Sequence, residues 1–178
     1  MPSSRALSWL LLAVPLALAC AGTHRRAEGG PSRVVVLAAS EVPRPAPRGL
    51  VGNVFGTDEP RDVVAREGAE ALRARGYEVL GVEAEPGPMP SVPAASALAR
   101  RYRADATVVL VLKRMELRAL QPLGQVDVEL ESLVVAPSGR VLASDARHAA
   151  TTERLYRART DWRAHVRQAV IQAVRELP

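Results

Sequence analysis

The residue with the most distinctive chemistry is Cys20, the single cysteine of the 178-residue chain, which follows an apolar segment near the amino terminus. That segment, residues 7–18, begins shortly after Arg5. A membrane-spanning helix needs about 20 apolar residues, so this shorter segment is typical of a signal peptide. Residues 17–19 are small or aliphatic, as signal peptidase II requires beside a cysteine that is to be acylated. The pattern predicts a lipid-modified Cys20.

The segment after Cys20 predicts how the protein is attached. Residues 21–32 have no apolar periodicity and are interpreted as a flexible tether, which spans at most about 40 Å when extended. Ala21, rather than Asp, follows the cysteine, and in the sorting pattern of enteric bacteria this indicates the outer membrane. We therefore expect a signal peptide at 1–19, a lipidated cysteine and tether at 20–32, and a single periplasmic α/β domain at 33–178.

An ordinary secretory signal that is cleaved after Ala19 is the alternative interpretation. It would leave one free thiol, because the mature chain has no second cysteine for an internal disulfide. Ala17 also stands where a lipoprotein signal usually has Leu. Acylation explains the lone cysteine, and several acyl chains together anchor a protein firmly where a single chain binds weakly. A lipid-anchored protein that faces the periplasm is the preferred hypothesis.

Charge and composition argue against one class of partner. The net charge is +5, and Lys113 is the only lysine among the basic residues. An excess of arginine over lysine arises in a GC-rich genome without a functional cause. Nucleic-acid binding is indicated by clustered basic residues interleaved with aromatic ones, and aromatic residues make up 3% of this chain. We expect no nucleic-acid partner.

The histidines do not form a metal or catalytic site in the sequence. His24, His148 and His165 are widely separated, and zinc needs three or four ligands at a usable spacing. His165 is interpreted as a surface or boundary residue of the last helix. Ser144 and Asp145, near His148, are neighbours on a predicted strand and therefore point to opposite faces, which excludes a catalytic triad.

Two further patterns indicate binding chemistry only weakly. The glycine-rich segment 49–56 follows the first predicted strand but lacks the Gly-x-Gly-x-x-Gly spacing of a dinucleotide loop. Asp127, Glu129 and Glu131 alternate along one strand face, which is typical of a solvated face, with a weak cation site as the alternative. We expect no catalytic residue, no metal and no cofactor, and therefore a protein that is not an enzyme.

The hydrophobic periodicity predicts a mixed α/β fold with the element order βαβαβββα. Apolar runs or alternation predict strands, and a 3.6-residue period predicts helices. The predicted strands are 33–39, 77–82, 106–119, 125–136 and 140–149, and the predicted helices are 58–76, 94–103 and 161–177. Short crossover connections then give a single mixed sheet, whose first strands are parallel and whose last three form an antiparallel meander, with the helices packed on it.

The last helix has the clearest apolar stripe. The stripe consists of Trp162, Val166, Ala169, Val170, Ala173, Val174 and Leu177. A helix with one such face is expected to close a hydrophobic core. Arg163 and Arg167 lie off the stripe, so we expect Arg167→Glu to leave the stability nearly unchanged.

A known pattern occurs within residues 103–151. It consists of Ala104, Asp105 and Ala106 before a hydrophobic strand, followed by Gly139, Val141, Leu142 and Ser144 around a second strand. The stretch resembles the TolB amino-terminal-like group of envelope lipoproteins, which includes the curli-secretion lipoprotein CsgG and the penicillin-binding-protein activator LpoB. Ala136 and Pro137 depart from these families, which more often have Asp followed by Ala or Thr. The resemblance implies protein–protein interaction without turnover.

Chain length narrows what the resemblance implies. A CsgG-type pore needs long amphipathic membrane-spanning hairpins, and an LpoB-type activator needs a long disordered tail, and this chain has no spare segment for either. What remains is a compact accessory subunit, which we interpret as a non-catalytic protein-binding adaptor at the inner leaflet of the outer membrane. Its expected partners are the membrane, through the lipid on Cys20, and another envelope protein, with a homo-oligomer as a further option.

The Pro- and Gly-rich loop at 40–57 is the predicted contact surface. It follows the carboxyl end of the first strand, where open α/β sheets commonly place their sites, and its length is typical of a binding loop. The candidate partner-binding residues are Leu50, Val51, Val54 and Phe55. The alternative is that Phe55 folds back and fills a gap in the core.

A second hypothesis is a binder of anionic glycan or lipid headgroups. The arginine-rich surface would be formed by Arg154, Arg157, Arg159, Arg163 and Arg167. A complex that depends on charge weakens steeply as salt rises, whereas an apolar loop contact does not. Salt dependence therefore distinguishes the two hypotheses.

Acylation of Cys20 is directly testable. Metabolic labelling with a fatty-acid probe is expected to mark the wild-type protein and not Cys20→Ser, because the sulfur of Cys20 is the only thiol in the chain. An unlabelled wild-type protein would contradict the prediction.

Overall fold

Five strands and three helices make up the described part of the chain. The structure is a computed structural model and describes residues 29–43, 58–116, 125–152 and 161–177. The strands are β1 (Arg33–Ser40), β2 (Glu78–Pro86), β3 (Ala106–Glu116), β4 (Gln125–Val135) and β5 (Val141–Thr152). The helices are α1 (Pro60–Ala74), α2 (Val92–Tyr102) and α3 (Trp162–Arg175).

The strands form one mixed sheet in the order β2-β1-β3-β4-β5. β1 pairs in parallel with β2 and β3, while β3, β4 and β5 form an antiparallel meander. This confirms the predicted fold class. β2 extends to Pro86, beyond its predicted end, because it pairs with β1 as far as Ser40, and a proline is tolerated on an edge strand.

β1 is covered on both faces of the sheet. Val34, Val36 and Ala38 pack on the side of α1 and α3, which we call the first face. The alternate residues, among them Val35 and Leu37, pack on the side of α2, which we call the second face. Every residue from 34 to 39 is at most 2% exposed, which explains why this strand is apolar at each position rather than at alternate ones.

The close contact between α1 and the sheet depends on Gly68. A Cβ atom at this position would lie 2.5 Å from Leu110 Cδ1 of β3, so any other residue would force the buried Leu110 side chain to shift. The helix starts with Pro60 in its first turn and is followed by Gly76, whose φ of 89° supplies the left-handed stop that the sequence predicts.

α3 packs against α1 and β4, and its predicted stripe is buried. The side chains from Trp162 to Val174 on that stripe are at most 2% exposed, and Leu177 is 6% exposed. His165 is also buried, so its interpretation as a surface or boundary residue is wrong. It lies three residues after Trp162, a spacing that places both side chains on the same side of a helix.

The chain directions give the sheet two different ends. The tether end is where β1 and β3 begin, at Arg33 and Ala106, and the loop end is where they finish, at Ser40 and Glu116. α1 and α2 reach the tether end because each leads through three residues or fewer of turn into a strand that starts there. α3 ends beside them, since the Arg75 guanidinium after α1 donates to Val174 O and Leu177 O.

Burial of the α3 stripe leads to a stability prediction. Val170→Asp would place an unpaired charge at a position that is 0% exposed, and should lower the free energy of unfolding by about 3 kcal/mol or more, out of a typical 5–15. The matched control is Ile171→Asp, whose side chain is 36% exposed and which should cost about 1 kcal/mol or less. Equal losses in chemical denaturation would contradict docking of this face.

Candidate functional site

The tether joins the sheet through a clamp made by Asp105. Its Oδ2 atom accepts hydrogen bonds from Ser32 N at 2.9 Å, Ser32 Oγ at 2.9 Å and Arg33 N at 2.8 Å. The backbone N–H of Asp105 donates in turn to Arg33 O at 2.7 Å. The N–H groups of Arg33 and Ser32 stabilise the carboxylate and hold the pKa of Asp105 below its usual value. The point where the tether enters the fold is therefore fixed.

Sequence reasoning named Asp105 as part of the family-like pattern but assigned it no role. The flanking Ala104 and Ala106 are buried, so they hold the aspartate at the start of β3 while its carboxylate stays at the surface. An aspartate just before a buried strand favours hydrogen bonds to nearby backbone N–H groups. The sequence around Asp105 therefore predicts such hydrogen bonds but does not identify the donors. The donors, Ser32 and Arg33, lie next to Asp105 only because β1 pairs in parallel with β3.

The turn between β4 and β5 lies beside the tether. A shallow depression of about 480 Å³ is lined by Gly29, Gly30, Pro31, Asp105, Ala136, Arg140 and Leu142. The turn is fastened to α2 because Arg100 Nη1 donates to Pro137 O at 2.7 Å. The last residues of the tether that the structure describes therefore run against an ordered part of the domain.

The predicted contact loop starts and finishes at the loop end of the sheet. The chain leaves the described part at Pro43 and returns to it at Asp58, next to a depression of about 270 Å³. The depression is lined by the ends of β1 and β2 and the start of α1: Ser40, Glu41, Val42, Pro43, Glu59, Pro60, Arg61, Pro86 and Gly87. This is the edge formed by the carboxyl ends of the parallel strands, as the sequence predicts.

The exit of the loop from β1 is held by several hydrogen bonds. Ser40 Oγ donates to Val42 O at 2.9 Å and accepts from Val42 N at 3.1 Å, and Glu41 N donates to Leu112 O at 3.0 Å. Lys113 Nζ donates to the Glu41 carboxylate, which raises the pKa of Lys113. The base of the loop is thus tied to β3.

The contact residues themselves lie outside the described residues. Leu50, Val51, Val54 and Phe55 belong to the segment between Pro43 and Asp58. Cys20 also lies outside the described residues. The contact role of the loop, the alternative of Phe55 as a core residue, and the acylation of Cys20 all stay predictions.

The carboxylates of β4 lie on the second face among cations. Asp127, Glu129 and Glu131 are half-buried, and Arg114 Nε lies 3.6 Å from Glu129 Oε2. Glu131 and Glu129 also contribute to the raised pKa of Lys113. No group of three or more histidine, cysteine or carboxylate side chains suited to a metal occurs in the described ranges. These charges favour the solvated, ion-pairing face over the weak cation site.

The described arginines of the second hypothesis are engaged within the protein. Arg163 Nη1 lies 3.3 Å from Asp58 Oδ2 and its Nε lies 3.4 Å from Asp161 Oδ1. Arg167 donates twice to Glu67, through Nε at 2.6 Å and Nη2 at 3.2 Å. Carboxylates thus compensate both cations. The remaining members of that set, Arg154, Arg157 and Arg159, lie outside the described residues.

The Glu67–Arg167 pair joins α1 to α3. Glu67 is 3% exposed, and Arg66 Nη2 also approaches its carboxylate, at 3.4 Å. The carboxylate raises the pKa of Arg167 through these hydrogen bonds. The expectation that Arg167→Glu would leave stability unchanged therefore conflicts with the contacts of Arg167. The guanidinium of Arg167 is partly exposed, but it neutralises the buried carboxylate of Glu67. Because Glu67 lies on α1, far from Arg167 in the sequence, the periodicity of α3 gives no sign of this pair.

Comparisons with known proteins indicate a shared fold. No protein-family model matches the chain, and no curated protein matches it significantly. The hypothetical protein CT253 from Chlamydia trachomatis has a similar structure, with a TM-score of 0.52 and 9% identity over 82% of this chain and 94% of that one. At this identity the likeness shows the fold alone.

Two further solved structures have lower TM-scores. PelC from Paraburkholderia phytofirmans, solved as a dodecamer, has a TM-score of 0.48 and 16% identity over 79% of this chain and 86% of that one. The lipoprotein GNA1162 from Neisseria meningitidis has a TM-score of 0.45 and 12% identity over 81% of this chain and 98% of that one. The resemblance to the TolB amino-terminal-like group stays a prediction from residues 103–151.

The pair between α1 and α3 leads to a second stability prediction. Arg167→Glu would set a second carboxylate against the buried Glu67 and should lower the free energy of unfolding by about 3 kcal/mol. The control is Arg175→Glu, an exposed position on the same helix, which should cost about 1 kcal/mol or less.

A double-variant cycle isolates the cause. With Glu67→Gln already present, the buried charge is gone, so adding Arg167→Glu should cost much less than it does in the wild-type protein. The same cost in both backgrounds, measured by chemical denaturation, would show that Arg167 stabilises the protein in some other way.

Proposed function

We propose that this protein is an exported lipoprotein, anchored through Cys20 and facing the periplasm at the inner leaflet of the outer membrane, where it acts as a non-catalytic adaptor for another envelope protein. The anchoring part of the proposal is supported by the signal-like segment and the lone cysteine. Within the described residues, no helix combines the length and apolar character needed to cross a bilayer.

The observation that supports an adaptor role is the position of the tether relative to the loop. β1 starts at the Asp105 clamp and finishes at the base of the predicted contact loop. Its 8 residues separate the two ends by about 23 Å. Because β1 is buried on both faces, it is a stiff connection. A lipid on Cys20 would therefore attach the domain to the membrane at its tether end, and the loop end lies at the other end of β1.

The titratable groups of the described residues support a role without catalysis. The buried carboxylate of Glu67 is neutralised by Arg167, and the raised pKa of Tyr102 follows from its hydrogen bond to Glu83, which is itself within 3.2 Å of Arg101. The ion pairs link neighbouring elements to one another. Arg167 lines a surface depression on α3 and Asp105 lines the depression beside the tether, and both side chains form hydrogen bonds within the protein.

The test uses crosslinking in intact cells with the full-length chain. A photoreactive residue at Phe55 should give a specific adduct with one envelope protein, and the same residue at Ile171, exposed on α3, should not. Phe55→Ala should weaken the adduct formed from a photoreactive residue at Leu50 while the melting temperature stays within error of the wild type. A contact residue contributes to binding and not to the core.

The alternative gives the opposite pattern. If Phe55 fills a gap in the core, Phe55→Ala should cost about 3–5 kcal/mol of stability, and the loss of the adduct would then follow from unfolding. That result, or equal adducts from Phe55 and Ile171, would contradict the proposed contact surface.

A further inference from the structure

Five exposed arginines lie at the tether end of the sheet. We call this set the arginine face: Arg33, Arg73, Arg103, Arg140 and Arg175. They come from the start of β1, the last turn of α1, the cap of α2, the turn before β5 and the end of α3, and so they surround the point where the tether enters. All of them are exposed.

Most arginines of this face form no ion pair with described carboxylates. Arg33 lies 3.7 Å from Glu78, in a pair whose side chains are 47% and 66% exposed. Arg73, Arg103, Arg140 and Arg175 make no ion pair with the part of the chain that the structure describes. This distinguishes them from Arg163 and Arg167 on α3, whose charges are matched by carboxylates.

Helix stabilisation explains only part of the arginine face. Cations near a helix carboxyl terminus compensate the helix dipole, which accounts for Arg73 and Arg175. The terminal carbonyls of α3, however, already accept hydrogen bonds from Arg75, which is not a member of the face. Arg33 and Arg140 do not belong to a helix end at all. Compensation of helix dipoles therefore does not account for Arg33 and Arg140.

The loop end has the opposite character within the described residues. Glu41, Asp58, Glu59, Asp62 and Asp161 lie there. Nearby cations are matched: Lys113 pairs with Glu41, Arg163 with Asp58, and Arg61 lies 3.8 Å from Asp62. The tether end also has carboxylates, at Glu78, Asp105 and Glu176, but they are fewer than the arginines there, so the described charges are more positive at the tether end than at the loop end.

The tether keeps the arginine face close to whatever holds Cys20. Between Cys20 and Gly29 the chain spans at most about 30 Å when extended and about 17 Å as a flexible coil. Charges interact strongly only within a Debye length, about 8 Å at physiological salt, so a short tether is what brings the face into range of a surface. Basic residues next to a membrane anchor bind anionic lipids.

We infer that the arginine face binds the anionic phospholipid headgroups of the leaflet that holds the acylated Cys20. This inference rests on the anchoring in the proposed function and adds an orientation to it. The domain sits with its tether end on the membrane, and the Pro- and Gly-rich loop points away from the surface. The arginine face contains none of the five arginines named in the second hypothesis, of which the described ones, Arg163 and Arg167, are paired with carboxylates.

The test measures binding of the mature chain with Cys20→Ser, which has no acyl chain, to lipid vesicles. Sedimentation with vesicles of phosphatidylethanolamine and phosphatidylglycerol should retain the protein at least about tenfold better than sedimentation with phosphatidylcholine alone. The difference should shrink as salt is raised, because screening weakens the attraction. Equal retention on both kinds of vesicle would overturn the inference.

Matched charge reversals separate the face from the net charge. Arg103→Glu with Arg140→Glu should reduce retention on the anionic vesicles about tenfold or more, while the melting temperature changes little because both side chains are exposed. Arg61→Glu with Arg114→Glu changes the net charge by the same amount at the loop end and should reduce retention much less. Equal reductions would show that binding depends on overall charge and would overturn the inference.

The vesicle result is independent of acylation. If fatty-acid labelling of Cys20 fails while the protein still prefers anionic vesicles, the anchoring is wrong. The inference is then overturned as well, because no lipid on Cys20 would hold the arginine face at a leaflet. If labelling succeeds and the vesicles show no preference for anionic lipid, the anchor stands and the orientation is wrong. The two failures are therefore distinguishable.

Discussion

Burial of β1 on both faces is the constraint from which the rest of the architecture follows. A strand that is apolar at every position needs a cover on each side, and here α1 and α3 cover the first face while α2 covers the second. It also needs a neighbour on each edge, which β2 and β3 provide. Because these neighbours are parallel to it, the helices that connect the three strands must return along the sheet, and α1 and α2 consequently end where β1 begins.

Local periodicity explains which parts of the fold were predictable. The alternation in β4 and the stripe of α3 are properties of one element, so they could be read without knowledge of its neighbours. His165 belongs to the same class, because its spacing from Trp162 and Ala169 places it on the stripe, and only its polar character led to the wrong interpretation. The pairing of Glu67 with Arg167 belongs to another class. It depends on how α1 and α3 are positioned against each other, which no spacing within either helix encodes.

The same distinction applies to the candidate site. Cys20 and the Pro- and Gly-rich loop are recognisable by composition alone, and the structure adds the positions from which the loop and tether leave the sheet. The Asp105 clamp and the arginine face are collective features. The members of the arginine face are scattered from Arg33 to Arg175 in the sequence, and they converge only because every element that contributes one begins or ends at the same edge of the sheet.

For an adaptor, the distance between the tether end and the loop end limits how far a bound partner can lie from the membrane. A partner bound at the loop end would be held within the reach of the tether plus the length of β1, on the order of 60 Å from the lipid anchor. Confinement of this kind raises the effective concentration of the partner at the membrane without any new contact. The gain depends on orientation, because a domain free to rotate about its tether would present the loop in all directions. An electrostatic contact at the tether end would restrict that rotation, and so the arginine face and the loop would act together even though they lie at opposite ends of the sheet.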